Sequence, residues 1–262
     1  MLIVAFTLDY FHKNTTDLLL SYSPSPEVGY TSTFLNGGNV MNEGVEVEIG
    51  WRDRVGDLNY SINVNGSTLK NRVNKVTAQV PYIPGTGGGV SGLNNKVQTR
   101  FSEGYPIWYF RGFDYVGVNP ETGKAIYTDI NGELTESPQD GDLKYIGSAI
   151  PKFTYGLTIN LEYKGFDFTL YGAGAAGAKI FSLMYSADRL ETNTLRTFFD
   201  NSWRQPGDNA KYPDMKAVAP DWYFWSSSAS LFSGNYFKFK QIQLGYTLPK
   251  SLLAKTGFIH IV

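Results

Sequence analysis

The feature that most constrains this chain is an alternation of apolar and polar residues that recurs in several separate stretches. Val45, Val47, Ile49 and Trp51 make one face apolar, while Gly44, Glu46, Glu48 and Gly50 keep the other polar or small. Leu58, Tyr60, Ile62 and Val64 then alternate with Asn59, Ser61, Asn63 and Asn65. Tyr155, Leu157, Ile159, Leu161 and Tyr163 alternate with Thr154, Gly156, Thr158, Asn160 and Glu162. After Lys164-Gly165, Phe166, Phe168 and Leu170 alternate with Asp167 and Thr169. Phe6, Leu8 and Tyr10 repeat the pattern near the start, and Ile242, Leu244 and Tyr246 repeat it near the end. Period two means strand, because successive side chains leave opposite faces of the pleat. A soluble sandwich also alternates. Here the polar face is unusually wet and the apolar face ends in aromatics. That is the pattern of a membrane-barrel strand with a girdle at each interface and a polar lumen.

The connections sharpen this reading. The spacing predicts short turns at 52–57, 164–165 and 247–256, and long connections at 21–40, 70–152 and 177–234. Ordinary connections run about 4–6 residues and rarely exceed roughly 12–15. Alternating short periplasmic turns and long extracellular loops produce this sequence of lengths directly. The expected fold is all-β, part of a transmembrane antiparallel β-barrel with about seven strands, the last starting at Gly257. Bacterial single-chain barrels have an even strand count, and lipid cannot satisfy two open sheet edges. Residues 1–262 are therefore expected to be one piece of a larger barrel. The first residues carry no basic segment before Leu2 and no small-residue cleavage site, so they read as strand rather than export signal.

Composition closes other routes. The chain has no cysteine, which excludes disulfide scaffolds, thiolate zinc sites and cysteine nucleophiles. Its two histidines, His12 and His260, lie at opposite ends. With 23 basic and 24 acidic side chains there is no cationic excess to neutralise phosphates, so a nucleic-acid partner is not expected. No run of 18 apolar residues offers a membrane helix.

Four features carry candidate chemistry. Asp129, Asn131 and Glu133 space three oxygen ligands two residues apart, as a calcium loop does, with an Asn131-Gly132 hairpin turn as the competing reading. Glu46 and Glu48 stand about 7 Å apart along one strand face, within the span of a glycosidase pair, but on the face read as lumen lining. Trp222, Tyr223, Phe224 and Trp225 form an aromatic run in a long loop, suited to stacking on sugars or anchoring a partner, or else to packing within the loop. Residues 82–95 read as a Gly-rich flexible tip; the Walker-type Lys-Ser/Thr pair is missing there. Residues 106–130 read as a small strand-rich subdomain that turns at Asn119-Pro120 and Thr122-Gly123. No catalytic residue and no cofactor is expected.

Several stretches together resemble a known family. Asp9-Tyr10-Phe11-His12-Lys13 through Thr16-Asp17-Leu18-Leu19 is similar to a "DYYxKxTxDLL" strand end, and Asn36-Gly37-Gly38 through Asn42-Glu43-Gly44-Val45-Glu46 to "NxGxxxNxGVE". Phe101 to Ile107 resembles "xxEGxPIG", with Trp108 where glycine is usual. Gly141-Asp142-Leu143-Lys144-Tyr145 is similar to "GDIKY", although here it follows the Asp129 to Glu133 run rather than preceding it. Ile146-Gly147-Ser148 with Pro151 to Gly156 is similar to "IGxxxPxFxYG", and Leu244 to Pro249 matches "LGYTLP". The chain thus resembles the C-terminal part of SusC/RagA-type TonB-linked outer-membrane transporters of the Bacteroidota. The resemblance implies a complete barrel of 22 strands, together with a plug and a TonB-contacting segment that this chain does not contain. It implies uptake of oligosaccharide, or of peptide, with a SusD-like surface lipoprotein, driven through TonB, in the cell outer membrane and without catalysis. Two other readings stay open: a soluble all-β glycan-binding module, and a plug-less porin-like channel.

Overall fold

A computed structural model describes residues 2–22, 27, 29, 33–77, 81–85, 98–182, 195–218 and 222–249. In chain order the first strands are β1 (Ile3–Tyr22), β2 (Thr33–Val55), β3 (Leu58–Thr68) and β4 (Lys70–Val76). Short strands follow: β5 (Ile83–Pro84), β6 (Gln98–Phe101), β7 (Tyr109–Gly112), β8 (Asp114–Val118), β9 (Ala125–Thr128), β10 (Leu134–Thr135) and β11 (Lys144–Gly147). The chain returns with β12 (Phe153–Tyr163) and β13 (Phe166–Ala176), then β14 (Lys179–Phe181). Three short helices, α1 (Arg196–Asn201), α2 (Met215–Val218) and α3 (Trp222–Trp225), lead to β15 (Leu231–Ser233) and β16 (Tyr236–Tyr246).

The main sheet is an antiparallel meander in the order β1-β2-β3-β12-β13-β16, with β4 also paired to β2. β3 and β4 are one strand interrupted at Leu69, whose amide donates to the Lys152 carbonyl at 2.9 Å. The register carries the alternation across the whole sheet. Val4, Trp51, Ile62, Ile159, Leu170 and Ile242 are successive cross-strand partners, so they form one apolar row. Ala5, Gly50, Asn63, Thr158, Tyr171 and Gln241 form the adjacent row on the opposite face. Pairing in this register keeps the large aliphatic side chains of the belt on one side, which a one-residue slip would reverse.

The apolar face has no protein partner among the described residues: Phe6 is 63% exposed and Leu244 73%. Aromatics bound it at both ends. Tyr155 stacks between Phe153 and Phe237, at 5.5 and 5.9 Å, while Phe166 and Tyr246 meet at 4.4 Å by the turns. From Phe153 to Tyr163 the strand rises about 33 Å at about 3.3 Å per residue. Tilted by about 40°, that spans about 25 Å, the height of a lipid-facing band. One device in β16 maintains this belt. Phe237 and Phe239 are out of phase with Ile242 and Leu244, and a bulge at Lys240 absorbs the extra residue.

Three boundaries differ from the sequence expectation. The turn expected at 52–57 is only Gly56-Asp57, because Asp53, Arg54 and Val55 pair with Tyr60, Asn59 and Leu58. The connection expected at 21–40 is shorter, since β1 runs to Tyr22 and β2 starts at Thr33. The polar stretches there pair beyond the apolar belt, where strand no longer alternates visibly. The connection expected from residue 70 begins after Val76 for the same reason. The Lys164-Gly165 turn is as expected; both residues have positive φ, which matches the twist of a two-residue hairpin. The strand expected from Gly257 lies outside the described residues, as does most of the Gly-rich tip. Of that tip, Ile83–Pro84 is strand, paired with Phe101 and Arg100.

Candidate functional site: a polar wall and its cap

The polar face is held by side-chain pairs rather than by a core. Asn63 donates from Nδ2 to Glu48 Oε1 at 2.7 Å, and Ser67 Oγ donates to Glu46 Oε1 at 3.1 Å. Asn160 links Ser61 and Thr169 across three strands. Glu46 and Glu48 therefore each accept from a neighbouring strand and line an open concavity of about 250 Å³ with Asp9 and Thr154. This is wall lining, not an enclosed acid pair. Nearer the short turns a larger concavity of about 950 Å³ is lined by Arg52, Arg54, Asp57, Asn59, Glu162 and Asp167.

Above the belt the two long connections build a cap with its own core. Phe113, Tyr127, Phe198, Tyr212, Phe224 and Trp225 are all buried together. Phe113 lies between β7 and β8 and Tyr127 on β9 of the sheet β8-β9-β10, whose turn at 119–123 is the one expected from sequence, closed by the Gly123 amide on the Asn119 carbonyl at 2.8 Å. The second connection clamps the first by backbone bonds: Phe113 N–H to Ser226 O at 3.0 Å, and Ser228 N–H to Phe113 O at 2.8 Å. Trp203 adds an indole bond to Pro120 O at 2.7 Å. Gly123 permits it, since its φ is +71° and a Cβ there would overlap the Trp203 ring. The buried Ser227 and Ser230 hydroxyls donate to the Phe224 and Trp225 carbonyls, so the core leaves these groups satisfied. Burial pushes the Tyr115 phenol well above its ordinary pKa, and its hydroxyl donates to Lys211 O at 2.8 Å.

Burial divides the aromatic run residue by residue. Trp225, expected as a ligand or partner contact, is 1% exposed and packs edge-on against Phe224 and Phe198 at 4.9 and 5.9 Å. It is cap core. The reason is local: the run forms one helical turn that points Phe224 and Trp225 inward together. Tyr223 is half-buried against Phe113 at 5.3 Å, and Trp222 opens the helix.

The Asp129 segment is a turn. Asp129 Oδ1 accepts the amides of Asn131 and Glu133, both at 2.8 Å, and the Gly132 amide returns to Asp129 O at 3.2 Å. The loop joining β9 to β10 is five residues with Gly132 at φ +91°, not a two-residue Asn-Gly hairpin. The carboxylate that a calcium ion would need already serves the turn. No group of three or more acidic or histidine ligands with metal-binding geometry occurs among the described residues. The Glu133 amide foremost, with Asn131, holds the Asp129 carboxyl below its ordinary pKa of 3.8, so the turn's stabilisation is complete above that value and lost as pH falls below it. Hydrogen exchange across 129–133, corrected for intrinsic rates, is expected to rise on acidification through this range. Asp129→Asn should abolish that rise, and millimolar calcium should leave exchange unchanged.

Comparison with known proteins places the whole arrangement. TonB-dependent receptor P3 of Formosa agariphila is 30% identical over 273 residues, which is 96% of this chain and 26% of that protein. TonB-dependent receptor P26 of the same organism is 24% identical, again over 26% of its length. The solved structure of the RagAB peptide transporter superposes with TM-score 0.75 at 21% identity, covering 96% of this chain and 28% of that one. The chain is similar to one barrel segment of the TonB-dependent receptors. The RagAB peptide importer in its "closed-closed" state gives TM-score 0.78 at 20% identity, over 98% of this chain and 28% of that one. No family model matches the chain. The chain spans about a quarter of the length of these relatives. The SusC/RagA resemblance seen in the sequence holds, and the sheet is open because it is one arc of a barrel wall.

Proposed function

We propose that this chain forms part of the wall and extracellular mouth of an outer-membrane importer energised through TonB. The observation that carries this is the two-faced sheet: an apolar belt about 25 Å tall bounded by aromatics, backed by a continuous polar face. In this reading the apolar rows meet lipid, the polar rows line the lumen around a plug, and the cap meets substrate and a SusD-like surface lipoprotein. The cargo is an oligosaccharide. Peptide is the second reading, favoured by the similarity to the RagAB peptide importers. The chain performs no catalytic step.

Two measurements test this. Labelled oligosaccharide uptake by cells carrying the full-length receptor should stop when the proton-motive force is dissipated. The isolated chain should need detergent or lipid to fold; a cooperative folded monomer in plain buffer would sink the barrel reading.

A further inference from the structure

The connection between β4 and β12 carries a surface that closing a barrel does not require. Its sheet β11-β7-β6-β5 packs one face onto the wall. Ile83 and Phe101 are on that face, buried in a core with Val40, Val73 and Val76. Alternation turns Tyr82 and Arg100 to the opposite face. The register pairs Tyr109 with Arg100 and Tyr145 with Arg111, so all five side chains share it. The Arg100 guanidinium lies 3.7 Å over the Tyr82 ring. Tyr105 stacks on Tyr109 at 4.6 Å and on Tyr145 at 5.9 Å. Tyr109 is buried as a floor, while Tyr105 and Tyr145 are 43% and 38% exposed.

Arg111 is half-buried in the middle of this face and makes no side-chain hydrogen bond or ion pair among the described residues. Burial first, and the Arg100 charge second, hold its pKa below the ordinary value; Tyr109, Tyr82 and Asp140 act in the opposite direction. The register places the two cations on one face, and an anion beside Arg111 would relieve the repulsion between them. A guanidinium fork matches a carboxylate with two parallel bonds. Flat exposed rings match the apolar face of a sugar. A peptide carboxylate would engage the arginines and leave the tyrosine rings unused.

We propose that Arg111 and Arg100, with the Tyr105 and Tyr145 rings beside them, form a subsite for a carboxylate-bearing sugar, a uronic-acid unit of an anionic oligosaccharide. This rests on the importer reading and narrows its cargo.

The test is calorimetric titration of the full-length receptor in detergent with three probes: a galacturonic acid tetramer, a neutral galactose tetramer and tetraglutamate. The galacturonate tetramer is expected to bind best. Arg111→Gln should weaken it by about tenfold or more, the scale of a lost charge-assisted hydrogen bond. Tyr145→Ala, at an exposed ring, should weaken it by about three- to tenfold. Galacturonate that fails to bind, or binds both variants as well as the parent, overturns the subsite. Tetraglutamate binding that needs Arg111, with no such need for galacturonate, overturns the sugar in favour of a peptide carboxylate. Heat-modifiable migration of each variant separates the two levels. An assembled barrel that ignores galacturonate sinks the subsite alone, whereas a receptor absent from the outer membrane sinks the importer reading.

Discussion

Ile159→Arg is expected to destabilise the folded barrel by about 2–4 kcal/mol, while Thr158→Arg, one residue earlier on the same strand, costs far less. Ile159 sits near the middle of β12, in a row with Ile62 and Leu170. A guanidinium there must leave water with no partner in reach, because its cross-strand neighbours are aliphatic. Thr158 lies between Asn63 and Tyr171 on the polar face, where a cation keeps hydration and acceptors. Denaturant titration of the full-length receptor in lipid bilayers reads the difference. Equal costs for the two variants would show that the faces are assigned wrongly.

Trp225→Ala is expected to cost the cap about 3–5 kcal/mol, the range for removing a fully buried large aromatic. Its ring fills the junction between Phe198 and Phe224, and the Trp225 carbonyl accepts the Ser230 hydroxyl at 3.0 Å. The cavity would loosen the clamp of the second connection on Phe113. The buried cluster around Trp225 shares no residue with the belt or with the Val40–Phe101 core, so the loss is local. Limited proteolysis of intact cells should cut the cap of the variant early, while its barrel still migrates as folded on a heat-modifiability gel. Unchanged proteolysis would return the aromatic run to the role of a surface contact.

The belt was legible because lipid and lumen impose opposite demands on neighbouring residues. That contrast is written into each strand as period two, and it predicted the faces of β2, β3, β12 and β13 residue by residue. The three-residue step from Phe239 to Ile242 is also in the sequence, and it is the bulge at Lys240. Beyond the belt the contrast disappears. Arg52 to Val55 and the stretch from Thr33 to Val40 are paired strand, yet their composition reads as turn or loop. Only the neighbouring strand decides them.

The cap and the arginine–tyrosine face depended on contacts between distant segments. Phe113 and Trp225 look like ordinary loop aromatics until two connections, more than a hundred residues apart, close on each other. Arg100 and Arg111 carry no motif; they meet because β6 pairs with β7. Local alternation by itself therefore determined the barrel wall and which of its faces meets lipid. Non-local pairing alone decided where strands end, which aromatics are core, and where two arginines share one sheet face, since those depend on neighbours that no local pattern encodes.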